Sequence, residues 1–249
     1  MVRKDTSIVY LPGAWHGPDT FDEVAAQLGK RGYEVHCLHL PTAGLDPKST
    51  PVDDVALIQK TSRALADQGK YVTLVMHSYG GFVGSESVRG LSKKDRLAQG
   101  KPGGIINLVY IAAFPGVEGE LLVDPIPDWV TVEGEWARVP NAREVFYSDF
   151  PTPKADELVA KLLPHAASVY EHRLAYAGYE DVPATYLLCT QDKVVPLEVQ
   201  KAMAALGGEI MRTEACDSGH FCMLSDPGIV TEAIIRAEKA SNALGNWEP

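Results

Sequence analysis

Three residues in this 249-residue chain have the types that nucleophilic acyl transfer requires. Ser78 sits in VMHSYGGF, directly after the apolar run YVTL. Asp192 sits in CTQDKVVP, ahead of a proline fit to start a helix. His220 sits in ACDSGHFCML, just before the final helical stretch. A serine hydroxyl is a weak nucleophile, and a neutral imidazole can take its proton. A carboxylate then fixes the imidazole tautomer and stabilises the imidazolium. Each residue also has an ordinary reading. Ser78 could be a helix N-cap, Asp192 a loop carboxylate and His220 a polar surface residue. VMHSYGGF departs from G-x-S-x-G, because Met76 stands where the first glycine is expected.

Those residues do chemistry only if the chain holds them together. Apolar, β-branched runs predict strands over 7–13, 33–41, 71–77, 104–114, 184–191 and 208–215. Near-continuous apolar strands suit a parallel sheet buried on both faces. Helices are expected over 19–32, starting at a capping Asp19 or Thr20, and over 51–69, with proline at its start and glycine after its end. Further helices are expected over 79–99, 196–206 and 227–241. This alternation is the pattern of an α/β fold with a doubly wound sheet and right-handed crossovers. Ligands bind at the carboxyl ends of such strands. Ser78, Asp192 and His220 each fall beyond a strand end, in the order nucleophile, acid, base. A fourth end carries LPGAWHG. Its loop and the residue after the nucleophile can offer two backbone N–H groups to an oxyanion, those of Ala14 and Tyr79.

The alternation breaks between Pro115 and Pro183, a stretch rich in proline and aromatic residues. It is expected to be a cap over a pocket, inserted into a single core formed by 1–114 and 184–249. Residues 153–179 read as two helices broken near Pro164, and residues 90–104 as a solvated helix end and loop. The tail SNALGNWEP is expected to fray.

Composition narrows the partners. Hydrophobic residues make up 45% and charged residues 22%, ordinary values for a globular protein. A net charge of −10 disfavours nucleic acid and anionic membranes. The N-terminal apolar run is too short for a signal peptide, and no stretch has the length of a membrane span. Cys37, Cys189, Cys216 and Cys222 form no C-x-x-C pair, so they are expected to be reduced thiols in a cytoplasmic protein. The histidines lack zinc-site spacing, so neither metal nor cofactor is expected. The oligomeric state is open, with a homodimer compatible.

LPGAWHG, LVMHSYGG, FYSDFP, VPATYLLCTQDKVVP and GHFCMLSDP together resemble the α/β-hydrolase branch that holds plant methylesterases, hydroxynitrile lyases and small bacterial and fungal esterases. The resemblance runs from Ile8 to about Ala240 and is strongest to fungal members. It implies an α/β-hydrolase fold with a six-stranded, mostly parallel sheet and a small helical cap. It also implies a triad of Ser78, Asp192 and His220, with Ala14 and Tyr79 as oxyanion donors. Hydroxynitrile lyases of this kind carry a threonine in the oxyanion loop and a lysine after the histidine. Gly13 and Phe221 occupy those positions here, which favours ester or lactone hydrolysis. Pro12 replaces a histidine often found before the oxyanion glycine. Gly13, Trp15, Phe114, Trp129, Phe146 and Phe221 are expected to line a pocket for a hydrophobic small molecule. His16 and His77 are expected to make loop hydrogen bonds. A lyase-type reaction on the same triad, a non-hydrolytic receptor and a scaffold protein are the alternatives.

Overall fold

The computed structural model describes residues 5–243. Six strands form one sheet: β1 (Thr6–Leu11), β2 (Glu34–Cys37), β3 (Tyr71–His77), β4 (Gly104–Ile111), then two later strands, Ala184–Cys189 and Met211–Cys216. Every neighbouring pair is parallel, in the order β2, β1, β3, β4, Ala184–Cys189, Met211–Cys216. From β1 the chain goes to one side for β2 and to the other for β3, so the order reverses there. Such a reversal opens a crevice at the carboxyl ends of the strands.

The strands in the middle of the sheet match their sequence signals best. Residues of β1 and β4 are buried throughout, and β3 is buried from Val72 onward, as helices on both faces demand. Those helices are α1 (Asp22–Lys30), α2 (Pro51–Asp67), α3 (Gly80–Ser87) and α4 (Lys93–Ala98), with Leu197–Ala205 and Pro227–Ala243 later in the chain. The capping box at the start of α2 joins Thr50 and Asp53, so two otherwise unpaired N–H groups are satisfied.

Several expectations need correction. The first helix has no capping Asp19 or Thr20; a 3₁₀ turn over Pro18–Phe21 leads into α1 instead. The helix expected over 79–99 is two helices. Residues 90–104 are more than a solvated end, because Arg96 of α4 is buried. It donates to Asp67 Oδ1 at 2.7 Å and to the Pro102 carbonyl at 2.9 Å.

Residues 115–183 hold an unforeseen second sheet of three antiparallel strands, β5 (Thr131–Glu133), β6 (Trp136–Arg138) and β7 (His165–Ala166). Helices α5 (Ala142–Phe146) and α6 (Thr152–Val159) lie between β6 and β7. Past Pro164 there is no second helix, only 3₁₀ turns over Ala167–Tyr170 and Gly178–Glu180. Tertiary bonds explain this. Leu174 N–H donates to the Glu120 carbonyl and the Tyr179 hydroxyl to the Gly116 carbonyl, which holds the chain extended. The remaining elements are β8 (Ala184–Cys189), α7 (Leu197–Ala205), β9 (Met211–Cys216), α8 (Cys222–Ser225) and α9 (Pro227–Ala243). The fraying expected of residues 241–249 can be compared with the structure only over 241–243, where the chain is helical. Residues 241–243 end α9, and the rest lies outside the described residues.

Candidate active site

Ser78 stands between β3 and α3 with φ of 50°, a left-handed conformation that costs a non-glycine residue strain. The turn is held from both sides. Ser78 N–H donates to the Ile111 carbonyl, and the Ser78 carbonyl accepts from Phe114 N–H and Gly81 N–H. Gly80 makes the turn possible, because a Cβ there would meet the Leu11 carbonyl oxygen at 2.6 Å. Helix α3 therefore starts almost against the end of β1.

Met76 answers the question posed by its replacement of glycine. It is fully buried at the end of β3, beside Leu11 of β1. A Cβ added at Gly84 of α3 would lie 2.3 Å from its sulfur. The methionine thus runs beneath the helix into space that Gly84 leaves empty. Gly84→Ala should therefore destabilise the fold. Overpacking costs about 1–3 kcal/mol, against about 1 kcal/mol gained by removing a helical glycine. In a Met76→Ala background the same change should become neutral or stabilising. Urea denaturation of the four proteins measures the coupling, and equal effects in both backgrounds would contradict this packing.

Asp192 and His220 follow the neighbouring strands β8 and β9. His220 Nδ1 donates to Asp192 Oδ2 at 2.7 Å, with both residues buried. Asp192 Oδ1 accepts the N–H groups of Val194 and Val195 at 2.7 and 2.9 Å. Gln200 of α7 is fully buried behind it and donates to the Val195 and Cys189 carbonyls. The carboxylate is thereby fixed in place, and the second nitrogen of His220 is left as a bare acceptor. Ser78 and His220 line one cavity. The Ser78 hydroxyl has no hydrogen-bond partner among the described residues.

The cavity has a volume of about 210 Å³. Gly13, Trp15, Phe114, Trp129, Phe146 and Phe221 all line it, as do Ala14 and Tyr79. Neither the Ala14 nor the Tyr79 amide is engaged in a hydrogen bond among the described residues. Among the described residues, no lysine, arginine, aspartate or glutamate lines the cavity. Residues 115–183 supply one wall, where Trp129 and Phe146 pack against Trp15 with ring centroids 5.8 and 5.6 Å away.

His16 and His77 make the loop hydrogen bonds expected of them. His16 Nδ1 donates to the Ala14 carbonyl and Nε2 accepts from the Tyr147 hydroxyl, both at 2.6 Å. His77 Nε2 donates to the His220 carbonyl at 2.9 Å. Burial keeps both neutral, lowering His16 to about 4 and His77 well below the ordinary value.

Residues to which the sequence assigned no role complete the surroundings. Asp149, in FYSDFP, accepts the Gly219 N–H at 3.1 Å and so ties residues 115–183 to the His220 loop. Asp54 of α2 is fully buried and accepts from the hydroxyls of Thr42 and Tyr79, each at 2.6 Å. It steadies the ring of the residue that follows Ser78.

Burial pushes the Asp54 carboxyl up to about 6, although Thr42 and Tyr79 pull it down. Its folded value lies above its unfolded one, so its contribution to stability is complete below the unfolded value near 3.8 and is lost as pH rises through about 6. A two-unit shift corresponds to roughly 3 kcal/mol. The stability of the wild type relative to Asp54→Asn should fall by that order between pH 4 and pH 7 in urea titrations. A rise over that interval would contradict the assignment.

A parallel sheet with a serine on a strained strand-to-helix turn, and Asp192 and His220 beyond later strands, defines the α/β-hydrolase class. The alpha/beta hydrolase family model matches residues 8–233, and the chain belongs to that family. It is 30% identical to the alpha/beta hydrolase nvfD of Aspergillus novofumigatus, over 93% of this chain and 96% of that protein. It is 24% identical to the pyrethroid hydrolase of Sphingobium wenxiniae, over 92% of this chain and 86% of that one. Among solved structures, tomato methylketone synthase I bound to 2-tridecanone superposes with a TM-score of 0.73 at 15% identity, over 95% of this chain and 99% of that chain. That last likeness is one of fold. No helix among the described residues is long and apolar enough to cross a membrane.

Proposed function

We propose that the protein is a serine hydrolase that cleaves a hydrophobic small-molecule ester or lactone. The observation that carries this reading is one apolar cavity. It holds Ser78 on its strained turn, His220 with its outer nitrogen free, and the unengaged amides of Ala14 and Tyr79. Ser78 attacks the acyl carbon while His220 takes its proton. The imidazolium is stabilised by Asp192, and the two amides receive the oxyanion. His220 then protonates the leaving alcohol, and water activated by His220 releases the acid.

Residues 115–183 act as a cap whose aromatic wall excludes water and selects apolar groups. The absence of a charged lining argues for a neutral substrate and against a stabilised cyanide leaving group. The hydrolases among its relatives support cleavage by water.

A panel of nitrophenyl esters and aromatic lactones tests the proposal, with products analysed in oxygen-18 water. Turnover should favour apolar acyl groups, and one solvent oxygen should enter the acid. Product formation without that oxygen would mean a lyase-type reaction. Tight binding with negligible turnover would mean a receptor.

A further inference from the structure

Three cysteines that the proposed reaction does not use converge under the His220 loop. Cys189 ends β8 and Cys216 ends β9, and the two are register partners across that parallel pair. Cys222 opens α8, two residues beyond His220. All three are buried free thiols. Their sulfurs lie within 4.8 Å of one another, and those of Cys189 and Cys216 are 3.7 Å apart. Their spacing in sequence hides the cluster, because it forms only when β8 and β9 pair.

We propose that Cys189, Cys216 and Cys222 form a three-thiolate binding site for a soft divalent metal ion, and that its occupancy inhibits the neighbouring site. A metal–sulfur bond of about 2.3 Å places three sulfurs in a trigonal plane about 4 Å apart. One separation is 3.7 Å and all lie within 4.8 Å, close to that distance, so the site closes with small rotations of side chains. No histidine or carboxylate joins the group among the described residues. Three sulfurs without a fourth ligand disfavour the closed tetrahedral site of structural zinc and suit softer, thiolate-seeking ions. On binding, three S–H bonds break and three metal–sulfur bonds form. Three protons pass to solvent, and the site is left with a net charge of −1.

The inhibitory effect rests on the hydrolase reading given above and follows from two short connections. Cys222 is two residues from His220. The backbone of Cys189 is held by Gln200, whose amide lies 3.4 Å from Asp192 Oδ2. Drawing the sulfurs onto a metal pulls on both members of the Asp192–His220 pair.

Cadmium(II) is the probe, titrated into the reduced protein while sulfur-to-cadmium charge-transfer absorption and ester turnover are followed together. One ion per chain should bind, and turnover should fall at least about tenfold at saturation. Cys216→Ser and Cys222→Ser should each weaken binding by about tenfold or more, with turnover in the absence of cadmium retained. Cys37→Ser should change nothing. Cadmium-113 NMR of the unsubstituted protein counts the sulfur ligands even if a variant fails to fold. Fewer than three sulfurs, unaltered affinity in Cys216→Ser, or loss of binding in Cys37→Ser would overturn the site. Binding without inhibition would overturn its regulatory effect. The absorption reads binding whether or not the protein hydrolyses esters, so failure of the site and failure of the hydrolase reading are distinguishable.

Discussion

If Ser78 is the nucleophile as proposed, Ser78→Ala is expected to lower kcat by at least about 10⁴-fold, because the proposed acyl-enzyme forms on its hydroxyl. The fold should survive. The Ser78 hydroxyl has no partner to lose, and alanine fills the same left-handed position at a similar cost in strain. Melting temperature should therefore stay close to the wild-type value while turnover disappears. A fluorophosphonate should label the wild type at Ser78 and leave the variant unlabelled. Full activity in Ser78→Ala would sink the mechanism. Loss of activity together with loss of fold would instead assign Ser78 to the architecture of the turn.

Asp192→Asn carries the second large effect, about 10⁴-fold in kcat. The hydrogen bonds around the carboxylate dictate how an asparagine would sit. Oδ1 receives two backbone N–H groups, from Val194 and Val195, so the amide oxygen must take that place. The amide nitrogen then faces His220 Nδ1 in place of Oδ2, which turns that ring nitrogen from donor into acceptor. The proton moves to the nitrogen facing the cavity, and the imidazole can no longer accept one from Ser78. KM should change little, because Asp192 does not line the cavity. A loss of less than about tenfold would show that Asp192 does not set the tautomer.

How much of this could be read from sequence depended on what each segment packs against. Tyr71–His77 lies inside the sheet, and its apolar run matches the observed strand end to end. The strand expected over 33–41 shrinks to Glu34–Cys37. It sits at the sheet edge with β1 as its one partner, and the pairing ends where Leu38 N–H donates to the Tyr10 carbonyl. The strands over Thr131–Glu133, Trp136–Arg138 and His165–Ala166 are too short to display alternation, and the first is exposed. Ser78, Asp192 and His220 could be found because strand ends bring distant motifs to one rim of a sheet. Asp54 and Gln200 could not, and Asp149 stood in a quoted motif, FYSDFP, without a role. A single buried carboxylate or amide leaves no periodic trace, and its partners come from elements far away in the chain. The cysteine cluster was hidden for the same reason.

The pairing of Met76 with Gly84 bears on how such proteins are found. A pattern search that insists on glycine two positions before the nucleophile would pass over this chain. Yet the room that glycine would have left is still present, transferred eight residues along to the facing helix. Met76 and Gly84 are best treated as one shared volume, and relatives that swap which side is bulky should exist. In comparing such sequences, the combined size of the two side chains is the quantity to hold constant.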